Sequence, residues 1–319
     1  MAKQKTRELH RSFRPCRDYL IALLPLMVMS VYLYGLRPLI IFGITLALTF
    51  LCDLLAAALR HLPFDPSDLS SYVFAFIYVL MLPASVRYEI VVAGVAFTVL
   101  LGKHAFGGYE RYPFHPSAFG FAFAAVSFSD EIFRYPKPFS AIGIGLDSGA
   151  TLYAGVASSL KYGGIPNIDT VDLFIGNYEG PMGTTFCLII LACMMLFFAH
   201  RTISARITLS YLATCAAWAA LFPRIQTGPL ESALYELFSG AVIFCAVFMV
   251  PEPSNSPKRK AAKLLYGFAL GVATMIFRTY GVFETGVCFA LLLISPLSPA
   301  FDRLVERKRG VKRSKGGAQ

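Results

Sequence analysis

Pro38-Leu-Ile-Ile-Phe-Gly-Ile-Thr-Leu-Ala-Leu-Thr-Phe-Leu-Cys-Asp-Leu-Leu-Ala-Ala-Ala-Leu59 decides the fold. The run holds a single charge, Asp53, and is long enough for a helix to cross the roughly 30 Å hydrocarbon core of a bilayer. It is flanked by a second such run, Asp18–Tyr34, which follows a basic head of Lys3, Lys5, Arg7, Arg11, Arg14 and Arg17. No small-residue cleavage site occurs near Tyr32–Gly35, so the first run reads as a retained span and not as a removed signal peptide.

Eight further apolar stretches follow: Ser70–Pro83, Glu89–Leu101, Pro116–Ser129, Gly183–Ala199, Ile207–Phe222, Glu236–Val250, Lys263–Phe277 and Val282–Leu297. Several fall short of the roughly twenty residues of a simple span and are bounded by Pro or Gly, as in discontinuous helices that line a site within a bundle. The expected fold is an all-α polytopic membrane protein of about ten transmembrane helices. Charged residues make up 15% and the mean hydropathy is +0.60, which excludes a soluble domain.

The basic residues orient the chain. With the N-terminus inside, 22 of the 29 Lys and Arg fall on inner segments and 7 on outer ones. That bias predicts an even number of spans and both termini in the cytoplasm. The net charge of +10 then belongs to an inner face held against anionic lipid, with the basic tail 302–319 as an anchor, and not to nucleic-acid binding.

Ser71-Tyr-Val-Phe-Ala-Phe-Ile-Tyr-Val-Leu-Met-Leu-Pro83 aligns with Ser239-Gly-Ala-Val-Ile-Phe-Cys-Ala-Val-Phe-Met-Val-Pro251, with Ser, Phe, Val, Met and Pro at equal spacing. One lies in the third span and one in the eighth, which run in opposite directions. This predicts two inverted five-helix halves, 18–128 and 182–301, after a cytoplasmic segment 1–17. Between them lies an outer loop, 129–181, far longer than ordinary connections and therefore expected to be a folded functional element.

Four features offer chemistry. Ser148-Gly149-Ala150-Thr151 presents a hydroxyl after small residues that leave the backbone open to a modifying enzyme, although on its own so short a motif is weak and its bland reading is a loop turn. Gly107-Gly108 and Pro113-Phe-His-Pro116 interrupt helix on the inner side, as a re-entrant segment lining a cofactor or ion path would, or as an ordinary loop. Asp53 is a carboxylate at membrane depth, where it must face a cavity or a partner; Arg60 is too far along the same helix to pair with it directly. Glu89, Glu236 and Glu284 lie at span ends and read as interfacial. The cysteines (Cys16, Cys52, Cys187, Cys193, Cys215, Cys245 and Cys288) form no CxxC pair and read as small buried hydrophobes, and the five histidines show no metal spacing.

Together and in this order, these motifs resemble the D subunit of the Rnf electron transport complex and, more distantly, the B subunit of the sodium-pumping NADH:quinone reductase. Asp68-Leu-Ser-Ser71, Gly107-Gly108, Pro113-Phe114-His115-Pro116, Ser148-Gly-Ala-Thr151, and Leu237-Phe-Ser-Gly-Ala241 with Pro251-Glu-Pro253 carry the resemblance across nearly the whole chain. Tyr112 and His115 stand where that family usually has asparagines. The resemblance implies FMN joined to Thr151 by a phosphoester bond and installed by a flavin transferase. Gly145 occupies the place of the family's usual acid before the threonine, with Asp147 offered from a different position, and Leu152 replaces a common proline. It further implies electron transfer coupled to Na+ or H+ movement, an anchored FMN subunit outside, membrane partners, and iron–sulfur subunits inside. A second, non-covalent flavin such as riboflavin near Gly107–Pro116 is implied by the family alone. The competing expectations are a stand-alone electron carrier and a solute channel or transporter without redox chemistry. The chain lacks a Rossmann fingerprint, P-loop or cysteine cluster, so it is not expected to oxidise NADH alone.

Overall fold

Along helix α2 (Leu36–Leu59) polarity is inside out. Thr45 and Thr49 are fully buried and Asp53 is 8% exposed, whereas Leu39, Leu46 and Leu51 are each more than half exposed. The buried hydroxyls are satisfied within the helix, Thr45 Oγ1 donating to the Ile41 carbonyl at 2.8 Å and Thr49 Oγ1 to that of Thr45 at 2.7 Å. A helix that hides its polar stripe and shows its leucines is solvated by lipid.

The computed structural model describes residues 14–61, 65–145, 148–166, 168–225, 228–281 and 283–316. The basic head before Arg14 and Asp147 lie outside the described residues. The first half contains α1 (Arg14–Tyr34), α2, α3 (Ser70–Leu80), α4 (Tyr88–Ala96) and α5 (Pro116–Ser127); α4 runs on through a π-helical turn, Phe97–Lys103, and a 3-10 turn, His104–Phe106. The connecting segment folds into α6 (Ser129–Ile132), an antiparallel pair of short strands β1 (Arg134–Pro136) and β2 (Leu152–Ala154), α7 (Val156–Lys161) and α8 (Thr170–Ile175). The second half is α9 (Cys187–His200), α10 (Ala205–Leu221), α11 (Pro229–Phe238), α12 (Val242–Phe248), α13 (Lys260–Tyr280) and α14 (Gly286–Ile294), continued through Ser295–Leu297 into the basic helix α15 (Ser298–Gly316).

The chain is a polytopic all-α membrane protein, and each of the ten apolar stretches falls on a helix. Among the described residues five helical runs are long and apolar enough to cross a bilayer: Pro15–Tyr34, Leu36–Leu59, Tyr88–Phe106, Lys260–Tyr280 and Gly286–Arg307. The pair α11 and α12, bent by 57°, makes a sixth if taken as one span, and α3, α5 and α9 are shorter apolar helices.

The short helices have a reason to be short. The two copies of the repeated sequence end on α3 and α12, which are buried almost throughout. Neither borders lipid, so their ends can be satisfied by protein. After α3, the carbonyls of Leu80 and Leu82 accept the backbone N–H groups of Gly183 and Met182 at 2.8 and 2.9 Å. The halves also repeat their pairings: α1 packs on α3 as α9 on α12, α2 on α4 as α10 on α13, and α4 with its π turn on α5 as α13 on α14. The most extensive of these contacts, α10 on α13, is made through Gly267 and Gly271. A Cβ on Gly267 would stand 2.7 Å from the Ile207 carbonyl oxygen, and one on Gly271 2.7 Å from Thr214 Cβ.

Segment 129–181 has its own small core, in which Val156, Leu160, Leu173 and Tyr178 meet Ile225.

Candidate functional site

Two of the polar clusters among the described residues contain residues singled out in the sequence, one around Thr151 and one around Asp53. The first is built on the junction of α1 and α2. Arg37, in the first turn of α2, has no exposed surface. Its Nη1 donates to the carbonyls of Gly143 at 2.6 Å and Gly145 at 2.8 Å, and its Nη2 to that of Val86 at 2.9 Å. The guanidinium lies over the Tyr88 ring, 4.7 Å from its centroid, and the Tyr88 hydroxyl donates to the Ile144 carbonyl at 2.7 Å. Three consecutive carbonyls of the glycine-rich loop are thus tied to the first half. The Gly143 N–H donates to the Ser148 carbonyl at 2.7 Å and closes the loop, and Gly149 follows at φ 61°.

Thr151 leaves this turn exposed, one residue before β2. Ser148 and Ala150 are half-buried and Gly149 is exposed. Leu152 and Tyr153 follow it with exposed apolar surface, and Phe139 and Ile144 are exposed elsewhere on the same segment. Lys137 Nζ lies over the Tyr153 ring at 4.6 Å. A reachable hydroxyl among small residues, with aromatic surface beside it and a cation nearby, fits a phosphate-tethered planar group. Beneath the strands, Glu284 approaches the Tyr135 and Ser158 hydroxyls, and burial raises its carboxyl to about 7 against the opposing charge of Arg278.

At the second site Asp53 Oδ1 accepts from Ser71 Oγ at 2.6 Å and meets His104 Nε2 at 2.7 Å. Lys103, fully buried on the π turn, donates from Nζ to Ser71 Oγ at 2.6 Å and to Asp68 Oδ2 at 2.7 Å. Asp68 also accepts from the Ser70 hydroxyl and N–H. Burial pushes the Asp68 carboxyl up, but the Lys103 charge and these bonds outweigh it and hold it below the ordinary value. The π turn adds a residue to the helix and so rotates Lys103 inward. The cluster opens on a cavity of ≈220 Å³, lined also by Arg60, Asp65, Gly107 and Gly108. Arg60 Nη2 donates to the Gly107 carbonyl at 3.0 Å, which ties the glycine turn to α2.

Asp53, Gly107 and Gly108, singled out separately in the sequence, therefore meet. Pro113 and Pro116 do not line this cavity: Pro116 starts α5 and packs on Gly102. The nearby Tyr112 instead donates its hydroxyl to Glu252, joining the two halves, with Asn255 Nδ2 donating to the same carboxylate at 3.2 Å. His115 Nε2 lies 3.9 Å from Glu252. Burial lowers His115 to about 3 and raises Glu252 to about 7, so the imidazole is neutral there. Glu236, expected at the interface, is instead 3% exposed between two arginines. Arg224 Nε donates to it at 2.6 Å, and Arg278 Nη2 lies 3.2 Å from its other oxygen. A carboxylate flanked by cations from two separate segments can be buried where an unpaired one cannot.

The profile of the NQR2, RnfD, RnfE family matches residues 5–310. The chain is similar to the D subunit of the ion-translocating oxidoreductase complex of Pseudomonas paraeruginosa, with 28% identity over 85% of this chain and 83% of that protein. It is likewise similar to the D subunits of the same complex from Mannheimia succiniciproducens, at 28% over 89% of each chain, and from Stutzerimonas stutzeri, at 26% over 93% of this chain and 91% of the relative.

Proposed function

The chain belongs to the NQR2, RnfD, RnfE family, and from that premise we propose that it is the membrane flavoprotein subunit of an Rnf-type ion-translocating electron transport complex. The observation that carries this reading is the exposed Thr151 at the end of a loop clamped by the buried Arg37. FMN is held there by a phosphoester to the Thr151 hydroxyl, placed by a flavin transferase. Bound flavin supplies one- and two-electron transfer, while the protein supplies position and local charge.

The residues of this chain have distinct parts. Arg37 and Tyr88 fix the loop, and Gly149 and Ala150 keep the approach to the hydroxyl open. Leu152 and Tyr153 offer apolar flanks for a ring, and Glu284, titrating near neutrality, can hold a proton on its carboxyl beneath the strands. The Asp53–Ser71–Lys103–Asp68 cluster is the assigned path for Na+ or H+, because it puts carboxylates and an ammonium in one hydrogen-bonded chain beside a polar cavity. At ≈220 Å³ that cavity is smaller than the roughly 300–1,000 Å³ of organic-ligand sites, so no second flavin is assigned to it.

Both termini are assigned to the cytoplasm of the inner membrane and Thr151 to the opposite face, with the two halves inverted. The partners are then iron–sulfur subunits inside, further membrane subunits, and an FMN subunit outside. Fluorescence of the denatured band under ultraviolet light, present in the wild type and absent in Thr151→Ala, tests the flavin. Purification from the native host without iron–sulfur subunits would sink the assignment to a complex.

A further inference from the structure

A cavity of ≈550 Å³ lies away from both sites, between the α9–α10 turn and the segment that leads from α12 into α13. Four cations line it, Arg201, Arg206, Lys258 and Lys263, and no carboxylate does. Among the described residues none of the four is in an ion pair. Two acids stand beside this rim and are engaged by other groups: Asp302 accepts the backbone N–H groups of Lys258 and Arg259 at 2.9 and 3.0 Å, and Asp18 Oδ2 accepts from Thr202 Oγ1. Four cations gathered against so few acids repel one another, and a bound anion lowers that cost.

The backbone adds to the field. Residues 204–206 on the wall open α10, whose first turn has neither an acid nor a side-chain cap. The positive end of a helix of 17 residues is therefore uncompensated at the cavity. Arg201 closes α9 in the left-handed conformation, at φ 56° and ψ 29°, where glycine is the ordinary residue. The turn that carries it is not loose: Thr202 Oγ1 donates to Asp18 Oδ2 at 2.9 Å and the Thr202 N–H to the Phe197 carbonyl at 3.0 Å. Ile203 packs into the core.

We propose that this cavity is a binding site for a phosphate-bearing anion, held by Arg201, Arg206, Lys258 and Lys263 at the start of α10. Its volume suits a phosphodiester with its attached glycerol more than a bare ion. Its walls begin two helices, α10 and α13, whose apolar lengths face lipid. The phosphate source that this position favours is the headgroup of an anionic phospholipid, wedged between helix ends.

The test uses the full chain purified in dodecyl maltoside, with thermal stability titrated against phosphatidylglycerol, phosphatidylcholine and inorganic pyrophosphate. Phosphatidylglycerol is expected to stabilise the wild type. Its apparent affinity should fall roughly thirtyfold in Arg206→Ala/Lys263→Ala, about fivefold for each cation removed. Arg201→Gly keeps the turn in a conformation that glycine prefers, so it should fold normally and still bind about fivefold more weakly. Stabilisation by pyrophosphate with the same dependence on these cations would support the site and assign it a soluble phosphate. Equal stabilisation by phosphatidylcholine, or equal response of wild type and variants to phosphatidylglycerol, would overturn it.

Discussion

Arg37 Nη1 donates to the Gly145 carbonyl at 2.8 Å, a bond between the first turn of α2 and a loop over a hundred residues later. The same guanidinium holds Gly143 and Val86. Only a planar fork with several donors can serve three carbonyls at once, so lysine is not a conservative replacement. Arg37→Lys and Arg37→Met should each lower stability by about 2–4 kcal/mol. In both, limited proteolysis should cut within 140–151 at protease levels that leave the wild type intact. Unchanged cleavage would show that Arg37 does not clamp the loop.

Lys103, fully buried, and Asp68, half-buried, form an ion pair at 2.7 Å. Removing Asp68 strands a buried ammonium, at a cost of up to about 3–5 kcal/mol, whereas removing Lys103 leaves a carboxylate that water still reaches and costs less. Asp68→Asn should therefore destabilise strongly and Lys103→Met less so, and the double variant should be more stable than the sum of the two implies. Thermal denaturation of the four proteins in detergent measures the coupling. Strict additivity would show that the pair is not formed.

The sequence exposed part of this cluster and hid the rest, for a physical reason. Asp53 was legible because a carboxylate inside an apolar run must have a partner. The partners, Ser71 and His104, come from other elements, and Lys103 read as an ordinary inner-loop cation until the π turn carried it inward. Arg37 left even less trace. Its acceptors are backbone carbonyls, which every residue possesses, so no pattern of side chains announces the clamp. The ten apolar stretches, in contrast, all fall on helices, because hydropathy is summed over many residues. What the stretches could not reveal is that α3 and α12 are short because protein surrounds them.

Burial holds Glu252 at about 7, above the usual 4.5. Between these values the folded state keeps a proton that the unfolded state has released. The stability contribution is full below about pH 4.5 and is lost as pH rises through 7, by up to about 3 kcal/mol. His115, lowered to about 3, acts in the opposite sense, losing stability as pH falls below its ordinary 6.5. The comparison with Glu252→Gln cancels that background. The melting temperature of the wild type, measured relative to this variant, should drop by several degrees from pH 5 to pH 8. A constant difference would contradict the buried, proton-holding carboxyl.

All seven cysteines are buried and unpaired, so the native chain offers a quiet background for labelling. Tyr162, which follows α7, is 83% exposed. In intact cells Tyr162→Cys should react with a membrane-impermeant maleimide applied from outside. Reaction only after the membrane is opened would place the 129–181 segment, and Thr151 with it, on the inner face.

The central claim is that Thr151 carries the flavin. The most direct measurement is the intact mass of the full chain from cells that make the flavin transferase, for wild type and Thr151→Ala. The wild type is expected to carry the mass of one FMN less one water, and the variant to carry none. A wild type without the adduct, or a Thr151→Ala protein that retains it, would contradict the claim.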